Sequence, residues 1–461
     1  MGTRIPSVTA VHQEKHRSLR ADFSWTFVGT AIYAGGQFAT LMLLAKLVRP
    51  ELVGRYALGL AIVYPVMMFT NLQLRAVITS GSRPQVHFGH HLTLRLLSTS
   101  VGLVLIFAVT QILRYSWELT AVVLMVGVAY AVETISDVYY ARLQLHDRMA
   151  EIAKSLIMRA LLSVLGLAVA TFITRNLVWG IVGIVLARSI ILLGYDMPGR
   201  THGLSGESKW FARNEALKPQ FDLRIQRELL WVSLPLGIVV LLGCLNSSIP
   251  NFFIKHALGE RDLGIFAAIG FMVSIGNMAV VSLGQSAFTR LARSYAAGDF
   301  ASFGSLLGKL LAFGALIGLS GMIISKLAGR EILSVLFRPE YAERADLLPW
   351  MMAAGGVLYM AQFLGFGMTA AGFYNSQVVL NILANASLFS SCFWLVAQRG
   401  LVGAILAMLI AAIVQLAASI VVLVMGIRKR AHEPCETLEQ GHAITKIPVS
   451  TERSPVFDSG D

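Results

Sequence analysis

Charged side chains lie inside long apolar stretches in the first half of this sequence, where burying a charge costs free energy unless it is paired or hydrated. Counted at 1.5 Å per residue from the nearest polar end, Arg159 lies roughly 10 Å deep, Arg188 roughly 12 Å and Glu133 roughly 13 Å. A charge at mid-bilayer costs about 2.5 to 3.5 kcal/mol even on the gentler insertion scale. Such groups therefore normally face a wet cavity or each other.

The deep charges have opposite signs, so two interpretations stay open. Glu133 and Asp137 are four residues apart and share one helix face, so cations are expected opposite them. Arg159 and Arg188 are the predicted cations. They either pair structurally with these carboxylates, or they form the wall of an anion-binding cavity in which the carboxylates balance charge or couple an ion.

The arginines also indicate what such a cavity would bind. A guanidinium stays charged and matches phosphate oxygens bidentately, so the predicted cargo carries a phosphate or pyrophosphate head group. Arg75 and Arg95 are further candidate substrate contacts, although both are expected near the surface, where long side chains reach water easily.

The second half offers a neutral polar lining that is suited to hydrogen-bonding sugars. Each amide alone is also typical of hydrogen bonding between membrane helices. The amides within its apolar stretches are Asn246, Gln285, Gln362, Asn381, Asn385 and Gln415.

Composition identifies the elements that must position these residues. Of 461 residues, 56% are hydrophobic and 14% charged, against about 25% charged in soluble domains. Apolar runs long enough to cross a bilayer recur about twelve times, which predicts an all-α polytopic membrane protein with two six-helix lobes. The predicted helices are 23–47, 56–78, 92–113, 119–142, 152–174, 177–196, 228–250, 263–288, 304–326, 347–371, 376–397 and 402–427.

Charge placement predicts the orientation and the domain boundaries. Segments on the side of the N-terminus hold 22 Lys and Arg against 12 on the other side. Positive loops stay cytoplasmic, so both termini are expected in the cytoplasm of a cell (inner) membrane protein, and the net charge of +12 does not indicate nucleic acid. The expected segments are a tail 1–22, a first lobe 23–196, an inter-lobe loop 197–227, a second lobe 228–427 and a disordered tail 428–461.

A weak internal repeat relates the two lobes. Glu51-Leu-Val-Gly54-Arg-Tyr56-Ala57 before helix 2 is echoed by Arg261-Asp-Leu-Gly264-Ile-Phe266-Ala267 before helix 8, at an offset of 210 residues. The offset spans six helices, an even number, so the lobes should point the same way and be related by an axis along the membrane normal. Such pseudo-symmetry suits a carrier that rocks about a central cavity.

Several segments together resemble the polysaccharide transporter family, the O-antigen and exopolysaccharide flippases. This family belongs to the wider superfamily of multidrug, oligosaccharidyl-lipid and polysaccharide exporters. The segments are Phe23-Ser-Trp25, Leu47 to Ala57, Leu72-Gln-Leu74-Arg75, Ile152 to Arg159 and Ile332 to Ala345. This chain differs from the family pattern at Thr79 and Ser80, where an acidic residue often follows helix 2.

The resemblance implies that a polyprenyl-pyrophosphate-linked oligosaccharide is moved from the cytoplasmic to the outer leaflet by alternating access. The expected partners are this substrate and membrane lipids, with a polysaccharide polymerase and chain-length machinery as further candidates. No cofactor, metal or nucleic acid is expected.

Three alternatives remain. A drug or metabolite antiporter of the same superfamily often has an acid in helix 1, but residues 23–50 contain none. A peptidoglycan-precursor lipid flippase would use the same architecture. A membrane-embedded transferase would need Asp137 and His146 in roles that no motif supports, and the run Gly304 to Lys309 is one residue too short for a nucleotide-binding P-loop. The chain is therefore expected to be a transporter rather than an enzyme.

Overall fold

The computed structural model describes residues 19–80, 86–197 and 219–432. Within these ranges the regular elements are all helical, and eleven helices are long and apolar enough to cross a membrane. The predicted all-α polytopic membrane fold is confirmed. The ranges 1–18, 81–85, 198–218 and 433–461, which include most of both predicted tails and of the inter-lobe loop, lie outside the described residues.

The first lobe consists of helices that alternate in direction across the membrane. They are α1 (Leu19–Leu47), α2 (Pro50–Thr70), α3 (Leu74–Thr79), α4 (Phe88–Ile112), α5 (Trp117–Leu145), α6 (Met149–Thr174) and α7 (Leu177–Ile191), which continues as a π-helical turn (Leu192–Asp196). We call the side on which α1 begins the near face and the opposite side the far face. Because α1 packs on α6, α6 on α7 and α5 on α2, α4 and α7, the helices form one bundle.

The second lobe repeats this arrangement with longer helices. They are α8 (Leu223–Leu258), α9 (Glu260–Ala296), α10 (Phe300–Leu336), the short α11 (Pro339–Ala342), α12 (Leu347–Ala370) and α13 (Tyr374–His432). Here α12 is central, because it packs on α9, α10 and α13.

The last helix is a hairpin that supplies two crossings. With 59 residues it would measure about 90 Å if straight, but Gly400 adopts a left-handed φ of 57°. Beyond it a Cβ on Gly403 would overlap the backbone oxygen of Leu395, eight residues earlier, so the chain has reversed. The described chain therefore crosses twelve times, as predicted.

Several predicted boundaries were wrong, and one physical reason covers most of them. The prediction placed a loop up to residue 227, whereas α8 begins at Leu223, where the Asp222 side chain accepts from the backbone N–H groups of Arg224 and Ile225. At the other end α13 continues past residue 427 to His432. A hydropathy window detects only the part of a helix that sits in hydrocarbon, whereas capped polar turns extend it beyond.

The lobes meet where the two copies of the internal repeat cross. A Cβ on Gly54 of α2 would overlap the backbone oxygen of Glu260, and a Cβ on Gly264 of α9 would overlap the backbone oxygen of Pro50. The contact is reciprocal, since each glycine occupies the position in its lobe that the other occupies in the partner lobe. Only glycine allows two helix backbones to approach this closely.

Ion pairs close the far face around this crossing. Arg55 Nε donates to Glu260 Oε2 at 2.6 Å, and Arg55 Nη1 donates to Glu118 Oε2 at 2.9 Å. Lys255 Nζ donates to the other Glu260 oxygen at 2.8 Å. We call these four side chains the far-face latch, because they join α2 and α5 of the first lobe to α8 and α9 of the second.

Substitution of Gly54 tests the close approach of the lobes. Gly54→Ala should lower the midpoint of thermal unfolding in detergent, because overpacking costs about 1–3 kcal/mol when no flexible side chain can yield. The matched control is Gly308→Ala in α10, where a Cβ would meet nothing within 4 Å. Its midpoint should stay the same or rise. Equal effects in the two variants would contradict the crossing described here.

Candidate functional site

A polar cavity of about 510 Å³ opens in the near-face half of the first lobe. Its walls come from the end of α2, from α3 and from the facing sides of α5 and α6. The lining residues are Met68, Asn71, Gln73, Arg75, Ala76, Thr79, Tyr130, Glu133, Thr134, Asp137, Tyr140, Gln144, Leu156 and Arg159. The volume lies in the range of about 300–1,000 Å³ that is typical of small-molecule sites.

A break in the second membrane crossing shapes one wall of this cavity. Between α2 and α3, Leu72 and Gln73 adopt left-handed φ values of 53° and 49°, which are unfavourable for residues with a Cβ. Arg95 of α4 holds the break, because it donates to the Asn71 backbone oxygen at 2.8 Å and to Asn71 Oδ1 at 3.0 Å. The backbone oxygen released by the break is thus satisfied, and α3 is turned toward α5.

The turn of α3 brings Arg75 over the cavity. Arg75 Nη1 donates to Asp137 Oδ1 at 3.3 Å and Arg75 Nε to Gln144 Oε1 at 2.9 Å, both on α5. Asp137 also lies 3.8 Å from the Arg95 guanidinium. The Asp137 carboxylate therefore lies between two arginines, and both ion-pair distances are long.

Glu133 links three helices one turn deeper. Its Oε1 accepts from the Tyr33 hydroxyl of α1, and its Oε2 accepts from Arg188 Nη1 of α7 at 2.7 Å. Arg188 Nη1 also donates to the Ala129 backbone oxygen at 3.0 Å. The Arg188 guanidinium lies over the Tyr130 ring. Arg188 therefore forms an ion pair with Glu133, which is one of the two interpretations that the sequence left open.

The other deep arginine has a partner that the sequence did not reveal. Arg159 Nη2 donates to Asp196 Oδ2 at 2.9 Å, and the Ser155 hydroxyl donates to Asp196 Oδ1 at 2.6 Å. The π-helical turn at the end of α7 carries Asp196 into the bundle. Tyr140 completes the group, since its ring lies against both Arg159 and Arg75.

These contacts correct two expectations. Arg159 was expected opposite Glu133 and Asp137, but Asp196 is its ion-pair partner. Arg95 was expected near the surface, but its side chain is fully buried against Asn71. In both cases the arginine was predicted in the correct helix, whereas its partner depends on a departure from regular α-helix, at the π-helical turn for Asp196 and at the break after α2 for Asn71. Asp196 and Asn71 were missed because each sits at the end of an apolar run, where a polar residue usually meets solvent.

Exposure distinguishes the four arginines. The exposed fraction of the side chain is 34% for Arg75, but 0% for Arg95, 1% for Arg159 and 5% for Arg188. Arg75 and Arg159 line the cavity, whereas Arg95 and Arg188 lie behind it. The charged groups that line the cavity balance, with two arginines and two carboxylates. Behind the wall, Arg95 and Arg188 against Asp196 leave one net positive charge, which adds positive potential at the cavity.

The fold is that of a known class of membrane transporters. The chain is similar to a solved structure of the lipid II flippase MurJ in an inward closed conformation, with a TM-score of 0.70 over 89% of each chain at 10% identity. It is also similar to an inward-facing multidrug resistance transporter of the MATE family of the MOP superfamily, with a TM-score of 0.57, 13% identity, and coverage of 88% of this chain and 94% of that one. A transporter of the same superfamily from Pyrococcus furiosus gives a TM-score of 0.58 at 12% identity, with coverage of 88% and 94%.

Sequence comparison identifies the family. The family described as "Polysaccharide biosynthesis protein" matches residues 19–294, which is more than half of the chain. The chain is also 25% identical over 397 residues to the capsular polysaccharide biosynthesis protein CapF of Staphylococcus aureus, covering 86% of this chain and 96% of CapF. This protein belongs to the polysaccharide biosynthesis protein family and has the fold of a multi-pass transporter.

The buried pair of Arg159 and Asp196 can be tested through stability. Asp196→Leu leaves Arg159 buried and unpaired, which is expected to cost about 3–5 kcal/mol and to lower the thermal unfolding midpoint strongly. The double variant Arg159→Met with Asp196→Leu removes both charges, so it should recover much of the loss. Asp147→Asn, at an exposed position on the near face, is the control. A double variant that is no more stable than the single one would refute structural pairing.

Proposed function

We propose that this protein is a flippase that moves a polyprenyl-pyrophosphate-linked oligosaccharide from the cytoplasmic to the outer leaflet for surface polysaccharide biosynthesis. The observation that carries the proposal is the partly exposed side chain of Arg75 on the wall of the polar cavity that Arg159 also lines. A guanidinium fork fits the oxygens of a pyrophosphate, and Arg75 can exchange its long contact to Asp137 for a ligand. The family and its CapF relative support the polysaccharide context.

The four arginines then have different roles. Arg75 and Arg159 line the cavity and are the proposed contacts to the pyrophosphate. Arg188, buried against Glu133, and Arg95, buried against Asn71, are proposed to position the cavity walls and to add positive potential. We propose that Asp137 releases Arg75 when substrate arrives and takes it back afterwards, so that binding stays reversible.

Transport follows from the arrangement of the lobes. With the far-face latch closed and the cavity opening in the near-face half, we propose that the near face is cytoplasmic, as the excess of positive residues on that side predicts. The head group enters from this side while the lipid tail stays in the bilayer. Separation of the lobes at the far face would break both the latch and the Gly54–Gly264 contact and expose the head group outside, where a polymerase can use it.

Two alternatives share the fold. A peptidoglycan-precursor flippase carries a related pyrophosphate lipid, so the same cavity would serve it, but the family match favours surface polysaccharide. A cation or drug antiporter could use Glu133 and Asp137, which line the cavity and are each 24% exposed, but Arg75 is the most exposed charged side chain of the lining, at 34%.

Arg75→Gln should abolish most of the binding of the head group. Loss of a charge-assisted contact to a charged ligand is worth about 1.5–3 kcal/mol, so affinity for polyprenyl pyrophosphate should fall at least tenfold, with a matching loss of translocation in proteoliposomes. Lys154→Gln is the control, because Lys154 is exposed on the near-face end of α6 and does not line the cavity. Unchanged binding in Arg75→Gln would refute the assignment.

Glu260→Gln tests the latch. Loss of the charge weakens both the Arg55 and the Lys255 contacts, so the far face should open more often. Spin labels can be placed at Trp179 of the first lobe and Leu327 of the second, which are both exposed and lie toward the far face. Electron paramagnetic resonance should then show a longer or broader distribution of distances between the two labels. Glu343→Gln is the control, since Glu343 is an exposed carboxylate near the far face of the second lobe and is not part of the latch. An unchanged distribution would show that the latch does not hold the lobes together.

A further inference from the structure

A second cavity, of about 370 Å³, lies in the near-face half of the second lobe. It is formed by α9, α12 and both arms of the α13 hairpin, and it shares no lining residue with the first cavity. It occupies the equivalent place in its lobe, because α9, α12 and the first arm of α13 repeat α2, α5 and α6. Val281, which lines it, stands 210 residues after Asn71 of the first cavity, the offset of the internal repeat.

The chemistry of the two cavities differs completely. The first is lined by two arginines and two carboxylates, whereas none of the residues that line the second is charged. Its polar lining consists of amides and hydroxyls, namely Gln362, Thr369, Gln377, Asn381, Gln415 and Ser419. A neutral lining has no charge with which to attract a phosphate or a cation, so the ligand it fits is itself neutral and polar.

Some of these groups are already used by the protein, and others are not. Gln377 Nε2 donates to the Gly365 backbone oxygen at 2.7 Å and to the Thr369 hydroxyl at 2.8 Å, so this pair holds α12 and α13 together. By contrast, the side-chain oxygens of Gln362 and Gln415 are buried without a hydrogen-bond partner. An unpaired buried acceptor is costly, so two of them beside one polar cavity indicate that something else supplies the donors.

Sugar hydroxyls have the matching chemistry. Each hydroxyl can donate one hydrogen bond and accept two, and an amide offers both donors and an acceptor. Phe366 adds an apolar surface to the wall, so the cavity combines apolar and polar contacts as binding sites for small neutral ligands do.

We propose that the second-lobe cavity is a carbohydrate subsite that binds the sugar part of the transported lipid, with Gln362 and Gln415 as hydrogen-bonding residues. This inference rests on the proposed function and deepens it. The first lobe would bind the pyrophosphate that is common to all such lipids, whereas the second lobe would bind the sugars in which these lipids differ. A rocking motion then moves one substrate that is held by both lobes.

The test compares two probes that differ only in the sugar. Purified protein is titrated with polyprenyl pyrophosphate and, separately, with the lipid-linked oligosaccharide extracted from the cells that produce this protein. Gln362→Met with Gln415→Met removes both amides at nearly constant volume. This double variant should bind the glycosylated lipid about tenfold more weakly than the unchanged protein does, while its affinity for the sugar-free lipid stays the same.

Controls separate the two proposals. Gln285→Met removes an exposed amide of α9 that does not line the cavity, and it should bind both probes normally. Arg75→Gln should weaken both probes, and if it weakens neither, the proposed function fails. If Arg75→Gln weakens both while the double amide variant binds both normally, only the carbohydrate subsite is refuted.

Equal weakening of both probes by the double variant would also refute the subsite, because it would indicate structural damage rather than loss of sugar contacts. Should the double variant not fold, Asn381→Leu provides the same comparison at a half-buried wall position. It should again weaken binding of the glycosylated lipid alone, and normal binding of that lipid would overturn the proposal.

Discussion

The cost of placing charge inside a membrane organises the first lobe. Asp196 and Arg159 are both almost fully buried, and an unpaired ion at such a position would be strongly destabilising. Each deep guanidinium therefore has a carboxylate, a backbone oxygen or an aromatic ring beside it. These contacts tie α1, α4, α5, α6 and α7 together, so the groups that balance charge also fix the walls of the cavity. Of the four arginines Arg75, Arg95, Arg159 and Arg188, only Arg75 keeps a substantially exposed side chain.

The repeat gives the two lobes the same framework but leaves their linings free to diverge. Reciprocal backbone contact at Gly54 and Gly264 joins the lobes near the far face, and each lobe has a cavity in the equivalent near-face position. One cavity is charged and the other is neutral. A single amphipathic substrate with a pyrophosphate and a sugar portion matches this division, which is the arrangement we propose.

The membrane-crossing helices could be predicted from the apolar runs of the sequence, because bilayer thickness fixes how many apolar residues a crossing needs. Spacing also indicated that Glu133 would have arginines opposite it, with Arg188 among the candidates, but it left open whether Arg188 pairs with a carboxylate or forms the wall of an anion-binding cavity. The break after α2 could not be predicted, because Asn71-Leu72-Gln73 contains neither glycine nor proline. Its left-handed residues are held by Arg95 from another helix, and no local sequence signal encodes a contact of that kind.

The sequence by itself determined the number of crossings, the repeat and the types of charged residue in each lobe, because these depend on composition and local periodicity. Tertiary structure decided which groups meet. Asp196 reaches Arg159 only because a π-helical turn carries it inward, and Arg75 reaches the cavity only because α3 is turned at the break. Both depend on backbone geometry that is stabilised by distant side chains. The division between a buried structural arginine and an exposed one is therefore a property of the folded protein alone.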